Sequence, residues 1–162
     1  MKKFILLLLV LFLQVFPQTG SLNSSATLLV KVPLSITAIN ANLDFGEIIL
    51  AGNSLTPSVP PSQGARFIIQ GTPASNISIT FNSITLDNNQ WVNTYGGTAG
   101  SLIFIPEVHD GFDNQIISGR SYLLSSGTGT GELNFNIGGS LTIPANQPPG
   151  DYTGQFFFTV SY

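Results

Sequence analysis

Apolar residues recur at every second position along most of this 162-residue chain. Leu28, Val30, Val32, Leu34, Ile36 and Ala38 alternate with more polar partners, and shorter runs follow at Leu43 and Phe45, with Ile48 close behind. The same period marks Phe67 and Ile69, Ile77 to Phe81, Leu102 and Phe104, Leu133 to Ile137, and Leu141 and Ile143. It closes on Tyr152, Phe156, Phe158, Val160 and Tyr162, with Gly154 interrupting the row. A period of two is the signature of half-buried strands. Turn formers separate the runs, among them Ala51-Gly52-Asn53, Pro60-Pro61, Asp87-Asn88-Asn89, His109-Asp110-Gly111 and Pro148-Pro149-Gly150. They supply either positive φ or a preset φ, as reversals require. No stretch of ten residues carries apolar spacing of 3.6. The pattern predicts an all-β fold, an antiparallel immunoglobulin-like β-sandwich of eight or nine strands.

Three positions qualify that picture. Pro33 cannot donate to a ladder, so the first strand is expected to break there and change partner, one half on each sheet. Gly154 marks a close approach or bulge in the closing strand. Phe157, apolar on the otherwise polar face of that strand, predicts that this face is partly covered. Residues 88–120 are the least regular part, and loops held by a rigid scaffold are where binding functions concentrate.

Composition narrows the setting. Met1-Lys2-Lys3 precedes an apolar run over residues 4–16 that is too short to span a bilayer. With small residues at Ser24-Ser25-Ala26, residues 1–26 are expected to be a secretory signal peptide and 27–162 a single β-sandwich domain. The expected destination is secreted or cell-surface, through the general secretory route, with no membrane span once the leader is removed. The domain then holds three basic residues, Lys31, Arg66 and Arg120, against eight acids, a net charge of −5. Three scattered cations cannot form the basic stripe that nucleic acid requires. There is no cysteine, so packing alone must hold a chain of about 136 residues, long enough to bury roughly two thirds of its unfolded surface.

Chemistry-bearing residues are sparse. His109 is the single histidine, read as an exposed loop residue, and its neighbour Asp110 would point to the opposite face of a strand. No Gly-x-Ser-x-Gly elbow or visible carboxylate pair accompanies it. Asp110, Asp113 and Asn114 offer oxygen ligands without the dense alternation of a calcium loop. No catalytic residue, cofactor or metal is expected. Trp91, Tyr95, His109, Asp110 and Phe112 make a candidate ligand loop. Trp91, Tyr95 and Phe112 present flat rings suited to a sugar face, the alternative being that Trp91 caps one end of the core.

The segments Leu43-Asp44-Phe45-Gly46-Glu47-Ile48 and Phe67-x-Ile69-x-Gly71-x-Pro73, together with a long closing motif, carry a resemblance. The closing motif runs from Gly138-Gly139-Ser140-Leu141-Thr142-Ile143 to Gly150, Tyr152, Gly154, Phe156, Phe158, Val160 and Tyr162 at alternate positions. It resembles a family of small secreted bacterial proteins catalogued as a domain of unknown function, akin to fimbrial and spore-coat-U-like pilus subunits. The resemblance implies an exported, non-enzymatic structural protein of the cell surface, a pilus-like or matrix subunit, with no catalytic residues to transfer. Partners would be copies of itself or other surface subunits joined by strand addition. Leu28, Val30, Val32, Leu34 and Ile36 have the alternation of a donated strand, and equally that of an ordinary first strand. A ligand- or carbohydrate-binding adhesin module using residues 88–120 is the alternative function.

Overall fold

In the computed structural model, which describes residues 27–162, most of the alternating runs become strands; the expected leader lies outside the described residues. Nine strands form: β1 (Ser35–Asn40), β2 (Ser58–Val59), β3 (Ala65–Gly71), β4 (Asn76–Phe81), β5 (Ile84–Asp87), β6 (Ser101–Asp110), β7 (Arg120–Leu123), β8 (Gly131–Leu141) and β9 (Phe158–Ser161). A single helical turn pair, α1 (Asn89–Tyr95), separates β5 from β6. One sheet has the order β1-β3-β8-β6-β5, with β2 added to the far end of β8; the other is β7-β4-β9. Every pairing is antiparallel. The expected all-β, two-sheet sandwich is the observed architecture.

Register explains which side chains go inside. β3 sets Phe67 against Phe135 and Ile69 against Leu133 of β8, and β4 sets Ile79 against Val160 and Phe81 against Phe158 of β9. Their inward faces meet in one core built on Ile69, Ile77, Ile79, Val108, Leu124, Phe135 and Ile137. Phe158 stands edge-on to both Phe67 and Phe135, with centroids 5.2 and 5.0 Å away, the preferred arrangement for aromatic quadrupoles. A second core joins Leu102, Phe104, Leu141 and Ile143 of the large sheet to Leu43, Phe45, Ile48, Leu50 and Tyr152. Phe156 packs against both.

Gly138 is where β8 can be crossed closely: a Cβ there would collide with the carbonyl of Val59 and lie 2.6 Å from the nitrogen of Pro61. Gly154 meets the close approach expected of it, since a Cβ would sit 2.5 Å from Leu86 Cδ2 and 2.9 Å from the carbonyl oxygen of Thr85.

The first and last alternating runs depart from expectation. β1 begins only at Ser35, beyond Pro33, and pairs solely with β3. Val32 is held outside the ladder: its N–H donates to Thr72 Oγ1 at 2.6 Å and its carbonyl accepts from the Tyr162 hydroxyl. The run therefore changes partner at Pro33, as its missing N–H requires, but through side chains and not through a second ladder. At the other end, Phe156 and Phe158 point inward as the alternation predicts, yet ladder pairing starts at Phe158. Phe157 is 71% exposed, so its face is not covered as expected.

Candidate functional site

Half of the large sheet lacks a second sheet above it. The three strands β7, β4 and β9 cover the first core, whereas among the described residues Leu102, Phe104, Leu141 and Ile143 are faced by two irregular segments, residues 41–50 and 147–157. Between those segments lies an open cleft of about 1090 Å³. Its floor is apolar, and its rim carries Asp44, Glu47 and Asp151, with no lysine or arginine among the described residues. The C-terminal segment is paired along one edge: Thr153 exchanges backbone hydrogen bonds with Asp87, at 2.9 and 3.0 Å, and β9 pairs with β4. Among the described residues β9 has no strand on its other edge. Residues 43–50 belong to no strand.

The cleft lining includes none of the residues read as a strand-exchange segment. Leu28, Leu29 and Val30 are 88%, 74% and 75% exposed and in no strand. The body of the domain spans Lys31–Tyr162. Lys31 Nζ stands 4.2 Å from the Tyr162 ring centroid, beside the anchored Val32. Leu34 packs against the first core, and Ile36 lies on β1, which is an edge strand among the described residues.

The candidate ligand residues fall into two groups at opposite ends of β6. Trp91 and Tyr95 sit on α1, one turn apart, with ring centroids 4.5 Å apart and planes inclined at 45°. Trp91 is half-buried over Gly150, where a Cβ would come within 2.9 Å of the indole, and belongs to neither core cluster. His109, Asp110 and Phe112 are at the far end of that ten-residue strand, roughly 30 Å away at 3.3 Å per residue. They do not form one loop with Trp91 and Tyr95.

His109 is a strand residue with a side chain 17% exposed, not the exposed loop residue expected from its sequence neighbours. Its Nδ1 lies 2.7 Å from Asp113 Oδ1 and its Nε2 3.0 Å from Glu107 Oε1. The Asp113 hydrogen bond outweighs partial burial and, with the charge of both carboxylates, raises the imidazole pKa above the ordinary histidine value. Asp110, on the opposite face, closes its own turn by accepting from the N–H groups of Phe112 and Asn114 at 2.8 and 2.9 Å and from Asn114 Nδ2. Burial pushes its carboxyl up, but these donors more than reverse that and leave its pKa lowered. Phe112 projects from the tip, 90% exposed. Among the described residues no three of His, Cys, Asp and Glu are grouped to hold a metal, and no helix is long and apolar enough to cross a membrane.

Asn88 is the structural residue that patterning did not single out. It is fully buried, accepts from the Gly100 N–H at 2.7 Å, and donates to the carbonyls of Thr98 and Pro149 at 3.2 and 3.1 Å. One amide thus ties the start of α1 to the strand-entry loop and to the wall of the cleft. Its position inside Asp87-Asn88-Asn89 reads as a turn, and no local signal separates the buried member from its neighbours.

A search of curated proteins finds no match to the chain. A family model does match, over residues 34–162, which takes in every strand described above, and it is described as a domain of unknown function, DUF4402. The chain belongs to the DUF4402 family.

Proposed function

We propose that this protein is an exported, non-enzymatic structural protein of the cell surface, a subunit that assembles with copies of itself or with related surface subunits by strand addition. The observation that carries this reading is the apolar stretch Leu28-Leu29-Val30, exposed and outside every strand, immediately ahead of the domain body. Each such side chain gains about 1.5–3 kcal/mol when buried fully, so three in succession favour association once the leader is removed near residue 27. The outer edge of β1, unpaired among the described residues and with all six residues exposed, offers a further main-chain surface of the kind that strand addition uses.

The test is association of the exported protein against concentration, by sedimentation velocity, beside a variant lacking residues 28–30. The wild type should form higher species at micromolar concentration, and the variant should stay monomeric with an unchanged far-ultraviolet spectrum. A wild type that remains monomeric at millimolar concentration rules the reading out.

The Trp91–Tyr95 pair supports a second reading, an adhesin module, because Tyr95 leaves a ring face open beside the indole. A glycan array probed with wild type and Trp91→Ala tests it, and silence from both proteins excludes it.

A further inference from the structure

Carboxylates border the cleft on both banks. Asp44 and Glu47 stand on the 41–50 segment and Asp151 on the 147–157 segment. All three are exposed, and among the described residues none of them forms an ion pair. Beneath this rim the lining is hydrocarbon and aromatic. Phe104 on the floor stands edge-on to Phe45 of one bank, with centroids 5.9 Å apart, and to Phe156 of the other, at 6.0 Å. The Tyr152 hydroxyl on the wall accepts from Gln147 Nε2 and donates to the Pro148 carbonyl, both at 2.7 Å, so it is already paired within the protein.

An opening of about 1090 Å³ matches the upper end of small-molecule sites, roughly 300–1,000 Å³. Its two chemistries lie in layers, apolar below and anionic above. The geometry points to a binding site for a cationic amphiphile, a single molecule whose alkyl or ring body lodges against Leu102, Phe104, Leu141 and Ile143 while its alkylammonium head stays at the rim. An anionic amphiphile would bring like charge to three carboxylates, and an uncharged one would leave them without a counter-ion. Phe45, between Asp44 and Glu47 in the sequence, gives an alkylammonium a ring to lie against. This site is separate from the subunit reading, which rests on residues 28–30 and on β1.

The chain carries its own reporter. Its single tryptophan, Trp91, lies over Gly150, where a Cβ would come within 2.9 Å of the indole, and Gly150 lines the cleft. Asn88 donates to the Pro149 carbonyl at 3.1 Å and so fastens the same bank to α1. A molecule entering between the banks changes the surroundings of that indole.

Decyltrimethylammonium, octyltrimethylammonium and decyl sulfate, all below their micelle concentrations, are titrated into the exported protein and followed by Trp91 emission. The decyl ammonium should bind saturably and more than about tenfold tighter than decyl sulfate, whose charge the rim repels. The octyl homologue should bind about tenfold more weakly, because two methylenes leave the apolar layer. Glu47→Gln combined with Asp151→Asn, both at exposed positions, should weaken the ammonium about tenfold, roughly threefold for each unit charge at about 6 Å in water. The absence of cysteine lets the location be read separately. Bound ammonium should protect Gln155→Cys on the cleft wall from a thiol reagent and leave Thr128→Cys, outside the cleft lining, unprotected. Absence of saturable binding, equal affinity for sulfate and ammonium, undiminished affinity in the double variant, or equal protection at positions 155 and 128 overturns the proposal. So does a neutral valine–threonine peptide that protects Gln155→Cys at lower concentration than the ammonium, since it assigns the cleft to an extended chain. None of these outcomes bears on self-association, which sedimentation of the unliganded protein decides by itself.

Discussion

Replacing Asn88 by alanine should unfold the domain at a markedly lower temperature, although the residue is polar and lies where a turn was expected. Its amide makes three hydrogen bonds, to the Gly100 N–H and to the carbonyls of Thr98 and Pro149. A net hydrogen bond contributes about 1 kcal/mol, and a buried group stripped of its partner costs about 1–3 kcal/mol. Water entering the space would restore part of the loss, which leaves about 3 kcal/mol for the substitution. For a domain of this size that corresponds to roughly 10 °C in melting temperature. Asn88→Asp separates hydrogen bonding from volume. The carboxylate keeps the acceptor for Gly100 but turns a charge toward two carbonyls with no cation beside it, so its folded-state pKa must rise. A raised carboxyl pKa means the variant is least destabilised in acid and loses stability as pH climbs past the ordinary aspartate range. Thermal unfolding followed by circular dichroism at about pH 4 and pH 8 reads both effects. If Asn88→Ala melts within about 2 °C of wild type, the three bonds do not hold the loops together and the reasoning fails.

Gly154→Val should lower the urea midpoint by the equivalent of about 1–3 kcal/mol, because the carbonyl of Thr85 cannot retreat from a new Cβ; Gly127→Ala, with open space around it, is the neutral control. His109 has its pKa raised by Asp113 and Glu107, so its contribution is complete below the ordinary histidine value and fades as pH rises through the raised one. Asp113 is largely exposed and Glu107 about half exposed, which limits the effect to about 0.5 kcal/mol. A melting temperature that falls slightly from about pH 6 upward, and an Asp113→Asn variant that flattens the trend, would bear this out; a trend of opposite sign would not. Tyr162→Phe removes the hydroxyl shared by Val32 and Thr72, and the Val32 amide should exchange several-fold faster while the global midpoint moves by no more than about 1 kcal/mol.

Strand existence was legible from alternation because most strands here have one buried and one exposed face. β6 reads buried-exposed through Leu102, Ile103, Phe104 and Ile105, as its residues alternate. The helix α1 was not legible, since it is seven residues long and buries no side chain, leaving no apolar stripe to betray a 3.6 period. The position of His109 was hidden for a different reason. Turn formers at Asp110-Gly111 suggested a loop, but the turn proper begins only at Asp110, whose carboxylate closes it, and the strand runs up to that point. The cleft was invisible because alternation reports which side chains face a core, and says nothing of whether the intervening backbone groups have partners.

That distinction gives the unpaired segments a common meaning. In β3 and β8 alternation and ladder coincide over seven consecutive pairs. Residues 28–34, 43–50 and 152–157 carry apolar side chains at strand-like spacing with almost no ladder. Two of them wall the cleft. Side chains of the two walls already point into the second core, so their backbones are set at strand-like positions with one edge left over. Amide hydrogen exchange should therefore be fast at residues 43–50 and 154–157 and slow in β3 and β8, whose backbone groups are paired over seven consecutive positions.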